Sequence, residues 1–163
     1  MRYFLIDRVN KIEIGRRIKA IKNVSLSEDI FADHFIGSPV MPGALLIESL
    51  AQAGTVLLEY PHGLRKKAIL AMVERAKFRS VVRPGDQLRI EVTLDRDEGE
   101  IVRTKGTIEG ENGLVVDAAL VFHLADAEEF YPPKTRHIVE IAYDSLLAGT
   151  EIVTIDDHGG QNG

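Results

Sequence analysis

The spacing of apolar residues changes several times along the chain, and each change marks an element. From residue 4 to 14 and from 18 to 24 apolar and polar positions alternate, as in Ile12/Ile14 and Ile18/Ala20, with Gly15 between the two runs. Alternation on both sides of a glycine predicts a β-hairpin. Ser25–Phe35 mixes Ser, Glu and Asp with isolated aromatics, which reads as a loop with room for one short helical turn. Between Pro42 and Pro61 the chain is apolar nearly all round a helix. Pro42 suits a first helical position, where no N–H is needed, and Pro61 ends the run. Such a helix belongs inside the protein rather than on its surface.

Runs rich in Val, Ile, Leu and Thr follow at Ala68–Val73, Lys77–Val82, Gln87–Leu94, Ile101–Ile108 and Leu114–Leu124. Turn sequences join the later ones: Arg83-Pro84-Gly85-Asp86, Asp97-Glu98-Gly99 and Glu111-Asn112-Gly113. Sequential strands with tight turns make an antiparallel sheet. The predicted class is therefore α+β, a sheet wrapped around one long buried helix, over residues 1–124. Residues 125–163 form a C-terminal extension. Pro132-Pro133 breaks the chain there, and Ile138, Ile141, Ala142, Ser145 and Leu146 recur at helical spacing up to Gly149. A short amphipathic helix is expected, with disorder from Asp156 onward.

Composition narrows the chemistry. The 163 residues include no Cys, which excludes disulfides, a thiolate zinc site, an iron–sulfur cluster and a Cys nucleophile. Met1 leads straight into Arg2-Tyr3-Phe4-Leu5, so no secretory signal is expected, and the apolar stretch Ala44–Leu58 is interrupted by Glu48, Ser49 and Gln52. A cytoplasmic protein with no membrane span is the expectation. The charge is unevenly distributed: residues 1–124 hold 18 Lys and Arg against 17 Asp and Glu, whereas 125–163 hold 2 against 8. Arg65, Lys66, Lys67, Arg75, Lys77, Arg79 and Arg83 cluster around a single acid, Glu74. Such a cluster is either a solvated face or a docking surface for an acidic partner. No recognition motif or interleaved aromatics accompany it, so nucleic acid is not expected.

Three features carry possible chemistry. Glu48 is a carboxylate in an apolar helix, where it needs either a partner or a raised pKa that keeps it protonated, and a neutral buried acid is a proton donor. Gln52, four residues on, shares its face. His34 lies in the loop Asp33-His34-Phe35-Ile36-Gly37 and is a candidate base. The Pro42-Gly43 helix start offers free N–H groups to an anion or a developing oxyanion. Each is weak alone, since a loop histidine is usually a surface residue and every buried helix has an N-terminus. Together they supply what α-proton abstraction with loss of a β-hydroxyl requires. No His pair has the spacing of a metal motif, and no metal is expected.

At these residues the chain resembles a known family. His34-Phe35-Ile36-Gly37-Ser38-Pro39-Val40-Met41-Pro42-Gly43, followed by Ile47-Glu48-Ser49-Leu50-Ala51-Gln52, is similar to the signature of the 3-hydroxyacyl-acyl carrier protein dehydratases. Leu5-Ile6-Asp7-Arg8-Val9, Ala76-Lys77-Phe78-Arg79 and Val82-Arg83-Pro84-Gly85-Asp86-Gln87 agree with it. The resemblance implies a hot-dog fold and a homodimer with shared active sites, commonly assembled into a trimer of dimers. It implies that His34 takes the α-proton of a (3R)-hydroxyacyl thioester and that Glu48, from the other subunit, protonates the departing hydroxyl. Gly43 N–H would hold the thioester oxygen, the Val40 carbonyl would orient His34, and Gln52 would support Glu48 or the substrate. No cofactor is implied, because the elimination only moves protons. The implied partner is an acidic acyl carrier protein, which fits the basic cluster.

Three features depart from the family's usual pattern. The Pro-His-Arg segment that usually precedes the first strand of the general dehydratase has no counterpart here. Ile36 and Pro39-Val40-Met41-Pro42 are closer to the dehydratase-isomerase branch, while Glu48 matches the general dehydratase, so isomerase activity stays open. Residues after Leu124 lie outside the family's usual extent. A hot-dog thioesterase, a coenzyme A-dependent enoyl hydratase and a non-catalytic acyl-thioester binding module are the rival readings.

Overall fold

The computed structural model describes residues 4–132 and 135–154 of the chain. The hairpin forms β1 (Arg8–Glu13) and β2 (Arg17–Asn23). Gly15 takes φ 70° at its turn, a left-handed conformation natural to glycine. A single 3₁₀ turn, Asp29–Phe31, interrupts the following loop. Helix α1 runs Gly43–Glu59 with Pro42 as its N-cap, one position earlier than expected, and Tyr60–His62 continues it as a 3₁₀ turn. Four strands follow: β3 (Lys66–Phe78), β4 (Gln87–Asp97), β5 (Ile101–Gly110) and β6 (Gly113–Asp126). The extension supplies α2 (Arg136–Leu147) and a short β7 (Glu151–Val153).

The sheet order is β3-β6-β5-β4-β2-β1-β7. All pairings are antiparallel except β1 with β7. The expected strands Ala68–Val73 and Lys77–Val82 prove to be one strand, β3, and residues 79–86 are a loop. Two register shifts against β6, at Leu70/Met72 and Val73/Arg75, let this strand pass through Glu74 without ending. Those irregularities break the apolar alternation that strand counting from sequence depends on.

Helix α1 buries Leu46, Leu50, Ala53 and Leu57 against the sheet, as its composition requires. Two glycines set the distance between the layers. A Cβ on Gly54 would meet the Phe122 ring at 2.8 Å, and one on Gly106 would meet Leu50 at 2.8 Å. Helix and strand backbones thus approach more closely than any side chain there would allow. No helix among the described residues is long and apolar enough to cross a membrane.

The extension belongs to the same body. Tyr143, Leu146 and Leu147 of α2 pack on the main core. Beyond α2, Thr150 Oγ1 donates to the Val9 carbonyl (2.8 Å), and Ile14 N–H donates to Val153 (2.9 Å). The chain therefore leaves β6 beside one edge of the sheet and returns at the other edge as β7. The disorder expected from Asp156 onward lies outside the described residues.

Candidate active site

His34 sits in a loop folded tightly on itself. Its Nδ1 lies 2.9 Å from the Val40 carbonyl, and Val40 N–H returns a bond to the His34 carbonyl at 2.9 Å. A carbonyl only accepts, so Nδ1 carries the hydrogen, and in the neutral ring the lone pair is on Nε2. The Phe35 ring stacks on the imidazole with centroids 4.1 Å apart. Met41 N–H donates to Val82 (2.8 Å), fastening the loop to residues 79–86. Phe35 and Ile36 are 58% and 88% exposed, so the face beside the histidine is apolar and uncovered in the single chain.

Glu48 occupies the middle of α1, half-buried, and the Gln52 amide donates to its Oε1 at 3.0 Å. Gln52 Oε1 in turn accepts Leu5 N–H at 2.9 Å. The glutamine amide thus bridges the segment before β1 and the carboxylate, and Glu48 lines the cavity beside it. That cavity has a volume of about 520 Å³ and is lined by α1 through Glu48, Gln52 and Val56, and by β3 through Lys67–Leu70. Its far wall is α2. The size falls within the range of about 300–1,000 Å³ usual for ligand sites, and apart from Glu48, Gln52 and Lys67 the walls are mostly aliphatic and aromatic.

His34 is not among the residues lining this cavity, which Glu48 and Gln52 do line. Gly43 opens α1, where helix geometry leaves its N–H without an intrahelical acceptor. The Phe78 ring packs over Gly43 so closely that a Cβ would meet it at 2.9 Å.

The basic residues divide by environment. Arg75 and Arg79 both pair with Asp117, at 3.0 and 2.7 Å. Hydrogen bonding from Arg79, with the charge of Arg75 behind it, holds the Asp117 carboxyl below its ordinary range despite partial desolvation. Lys66 pairs with Asp126 at 2.7 Å. Arg65 reaches the His62 carbonyl (3.1 Å), Arg83 lies beside Ser38 (3.4 Å), and Lys77 is exposed. Lys67 points inward and meets Glu59 at 2.8 Å.

Glu59 was not singled out by the sequence, yet it is the more deeply buried carboxylate of α1, at 1% exposure. Its Oε1 accepts from Lys67 Nζ and from Ala68 N–H (2.9 Å), and its Oε2 accepts the Tyr143 hydroxyl. Burial works against the Lys67 ammonium, but the Glu59 charge and hydrogen bond raise its pKa above the ordinary value. Burial also pushes the Tyr143 hydroxyl far up, and the adjacent Glu59 charge adds to the shift. Tyr143 lies 84 positions from Glu59, and no local pattern joins them.

Comparison with known proteins gives a consistent result. The FabA-like domain family matches residues 1–119. The 3-hydroxyacyl-acyl-carrier-protein dehydratase FabZ of Geobacillus thermodenitrificans is 45% identical over 127 residues, covering 76% of this chain and 86% of that protein. The FabZ of Pelotomaculum thermopropionicum is 44% identical over 121 residues, covering 74% and 86%. Among solved structures, a hot-dog-like protein from Thermanaerovibrio acidaminovorans superposes with a TM-score of 0.60 at 16% identity, over 80% of this chain and 93% of that one. The fold is therefore the hot-dog fold that the sequence led one to expect.

Proposed function

The chain belongs to the FabA-like dehydratase family, and on that premise we propose that it dehydrates (3R)-hydroxyacyl-acyl carrier protein to the trans-2-enoyl thioester in fatty-acid biosynthesis. The observation that carries the mechanism is the tether of His34 Nδ1 to Val40, which leaves Nε2 as a base of fixed orientation. Nε2 takes the α-proton from C2. The electron pair forms the C2=C3 bond as the C3–O bond breaks, and Glu48 delivers a proton to the departing hydroxyl, which leaves as water. Gly43 N–H, at the positive end of α1, holds the thioester oxygen while negative charge develops on it. Gln52 keeps the Glu48 carboxyl aimed at the cavity. Return of the His34 proton to Glu48, directly or through water, resets the pair. The reaction needs no oxidant or reductant: it moves protons and expels the hydroxyl as water.

We place the complete site between two copies of the chain. Support comes from the lining of the Glu48 cavity, which does not include His34, and from β3, which ends the sheet with an unpaired edge. That edge strand carries Met72, Val73 and Phe78 exposed, a combination that invites a second copy. Pairing two such edges is isologous, and in this reading it brings each His34 loop to the partner's Glu48 cavity. Arg65, Lys77 and Arg83 are the cations best placed to meet an acidic carrier protein, because Lys67 is committed to Glu59.

The test is turnover of (3R)-hydroxyacyl-acyl carrier protein by the wild type and by the His34→Ala and Glu48→Gln variants. Activity in the wild type and its loss in both folded variants is expected. A wild type inactive on every chain length would overturn the proposal. Release of free thiol from the same substrates would point to a thioesterase, and tight binding without turnover to an acyl-thioester binding module.

A further inference from the structure

The matched family domain ends at residue 119, so neither α2 nor β7 is part of it, yet α2 forms a wall of the cavity that Glu48 opens into. The extension is held at both ends. Ala127 N–H donates to Arg65 (2.9 Å) where it leaves β6, and β7 adds to the edge of β1 where it ends. Between these anchors α2 presents Ile138, Ala142, Tyr143 and Leu146 to the cavity. The Tyr143 hydroxyl bonded to Glu59 fixes α2 against the far end of α1.

We propose that α2 is the end wall of the acyl chamber and sets the longest chain the protein accepts, with Ala142 and Leu146 as the specificity-determining residues. This rests on the dehydratase reading for the identity of the substrate, but the chamber is a property of binding and is testable apart from the chemistry. Continuity supports it. One cavity contains both the proton donor for C3 and the α2 residues, so a chain bound with C3 at Glu48 runs along α1 toward α2. Along α1 the cavity extends from Glu48 to Val56, which at a helix rise of ~1.5 Å per residue is about 12 Å. An extended alkyl chain advances roughly 1.25 Å per carbon, given C–C bonds near 1.5 Å at tetrahedral angles. The chamber therefore takes about ten carbons beyond C3 before α2 blocks the chain, a limit near twelve to fourteen carbons in all.

The experiment measures binding of trans-2-enoyl pantetheine thioesters with 4, 12 and 16 carbons to the full chain, alongside turnover of the matching hydroxyacyl carrier proteins. In the wild type the 12-carbon thioester should bind at least tenfold more tightly than the 16-carbon one. Ala142→Phe, which fills the chamber, should lower the 12-carbon to 4-carbon affinity ratio at least tenfold. Leu146→Ala, which deepens it, should raise the 16-carbon to 12-carbon ratio. Simple destabilisation would weaken all lengths together and leave both ratios where they were. Unchanged ratios in both folded variants would overturn the proposal. A wild type that shows the length ratios without turnover would remove the dehydratase reading and leave the chamber intact.

Discussion

Removing one oxygen atom from α2 tests how the extension is fastened. In Tyr143→Phe the ring stays in the cavity wall, but Glu59 Oε2 loses its hydroxyl donor. A hydrogen bond to a charged acceptor contributes about 1.5–3 kcal/mol, so near pH 8 the variant should be less stable by about 2 kcal/mol. The pH dependence provides the sharper check. Burial beside Glu59 raises the folded pKa of Tyr143, while in the unfolded chain a tyrosine ionises near pH 10. A group whose folded pKa is raised adds stability that is complete below the unfolded value and is lost as the pH climbs above it. By pH 11 the unfolded wild type gains about 1.4 kcal/mol from this one ionisation, which the variant cannot make. Urea unfolding of both proteins at pH 8 and pH 11 should show the stability gap shrinking from about 2 to about 0.6 kcal/mol. Lys67 also has a raised pKa and loses stability in the same direction, but it is present in both proteins and largely cancels. A gap of the same size at both pH values would refute the buried Tyr143–Glu59 contact, as would no gap at pH 8.

Other perturbations report on the remaining elements. Lys67→Met strands the Glu59 carboxylate at 1% exposure; the loss should approach, but not reach, the roughly 3–5 kcal/mol of a fully buried pair, because Lys67 is partly exposed, as thermal unfolding would show. Gly54→Ala adds helix propensity of up to about 1 kcal/mol but drives a methyl into Phe122, and overpacking by about 1–3 kcal/mol should win, giving a lower urea midpoint. Val73→Glu places a charge on the exposed β3 edge and should yield monomers by sedimentation together with loss of turnover. Mixing the inactive His34→Ala and Glu48→Gln chains after subunit exchange should restore about a quarter of the wild-type activity, since half the dimers are mixed and each has one intact site. No recovery despite exchange would place both residues in the same subunit's site.

Much of this architecture is written in local patterns. The β1–β2 hairpin, the buried α1 and the β4–β6 meander follow from alternation, glycine turns and a long, mostly apolar run, all of which act over a few residues. The helix in the extension was legible for the same reason, its apolar positions recurring at 138, 141, 142 and 146. What it packs on was not legible. The outward Ile141 and the inward Ala142 and Tyr143 belong to one periodic pattern, and only the path of the chain decides which of them face the cavity. β7 was missed because three residues on an edge carry no period. The basic cluster was visible as composition, but composition could not separate Lys67, turned inward to Glu59, from Lys77 on the surface.

The two carboxylates of α1 show why burial alone does not identify an acid for catalysis. Glu48 and Glu59 are eleven residues apart, close to three full turns at ~3.6 residues each, so they project from nearly the same helix face. Sequence reasoning stopped at Glu48 because it interrupts the middle of the apolar run, whereas Glu59 stands at the end, where a charged residue is ordinary. The structure reverses their burial and sharpens their difference. Both oxygens of Glu59 are engaged, Oε1 by an ammonium and an amide N–H and Oε2 by a hydroxyl, so the carboxylate is held by three protein donors at 1% exposure. Glu48 has the Gln52 amide on Oε1 and lines the cavity. Proton transfer needs a group held at one atom and open at the other. On that criterion α1 carries a structural carboxylate at its C-terminal end and the candidate proton donor, Glu48, in its first half, in a cavity lined by Glu48 and by α2.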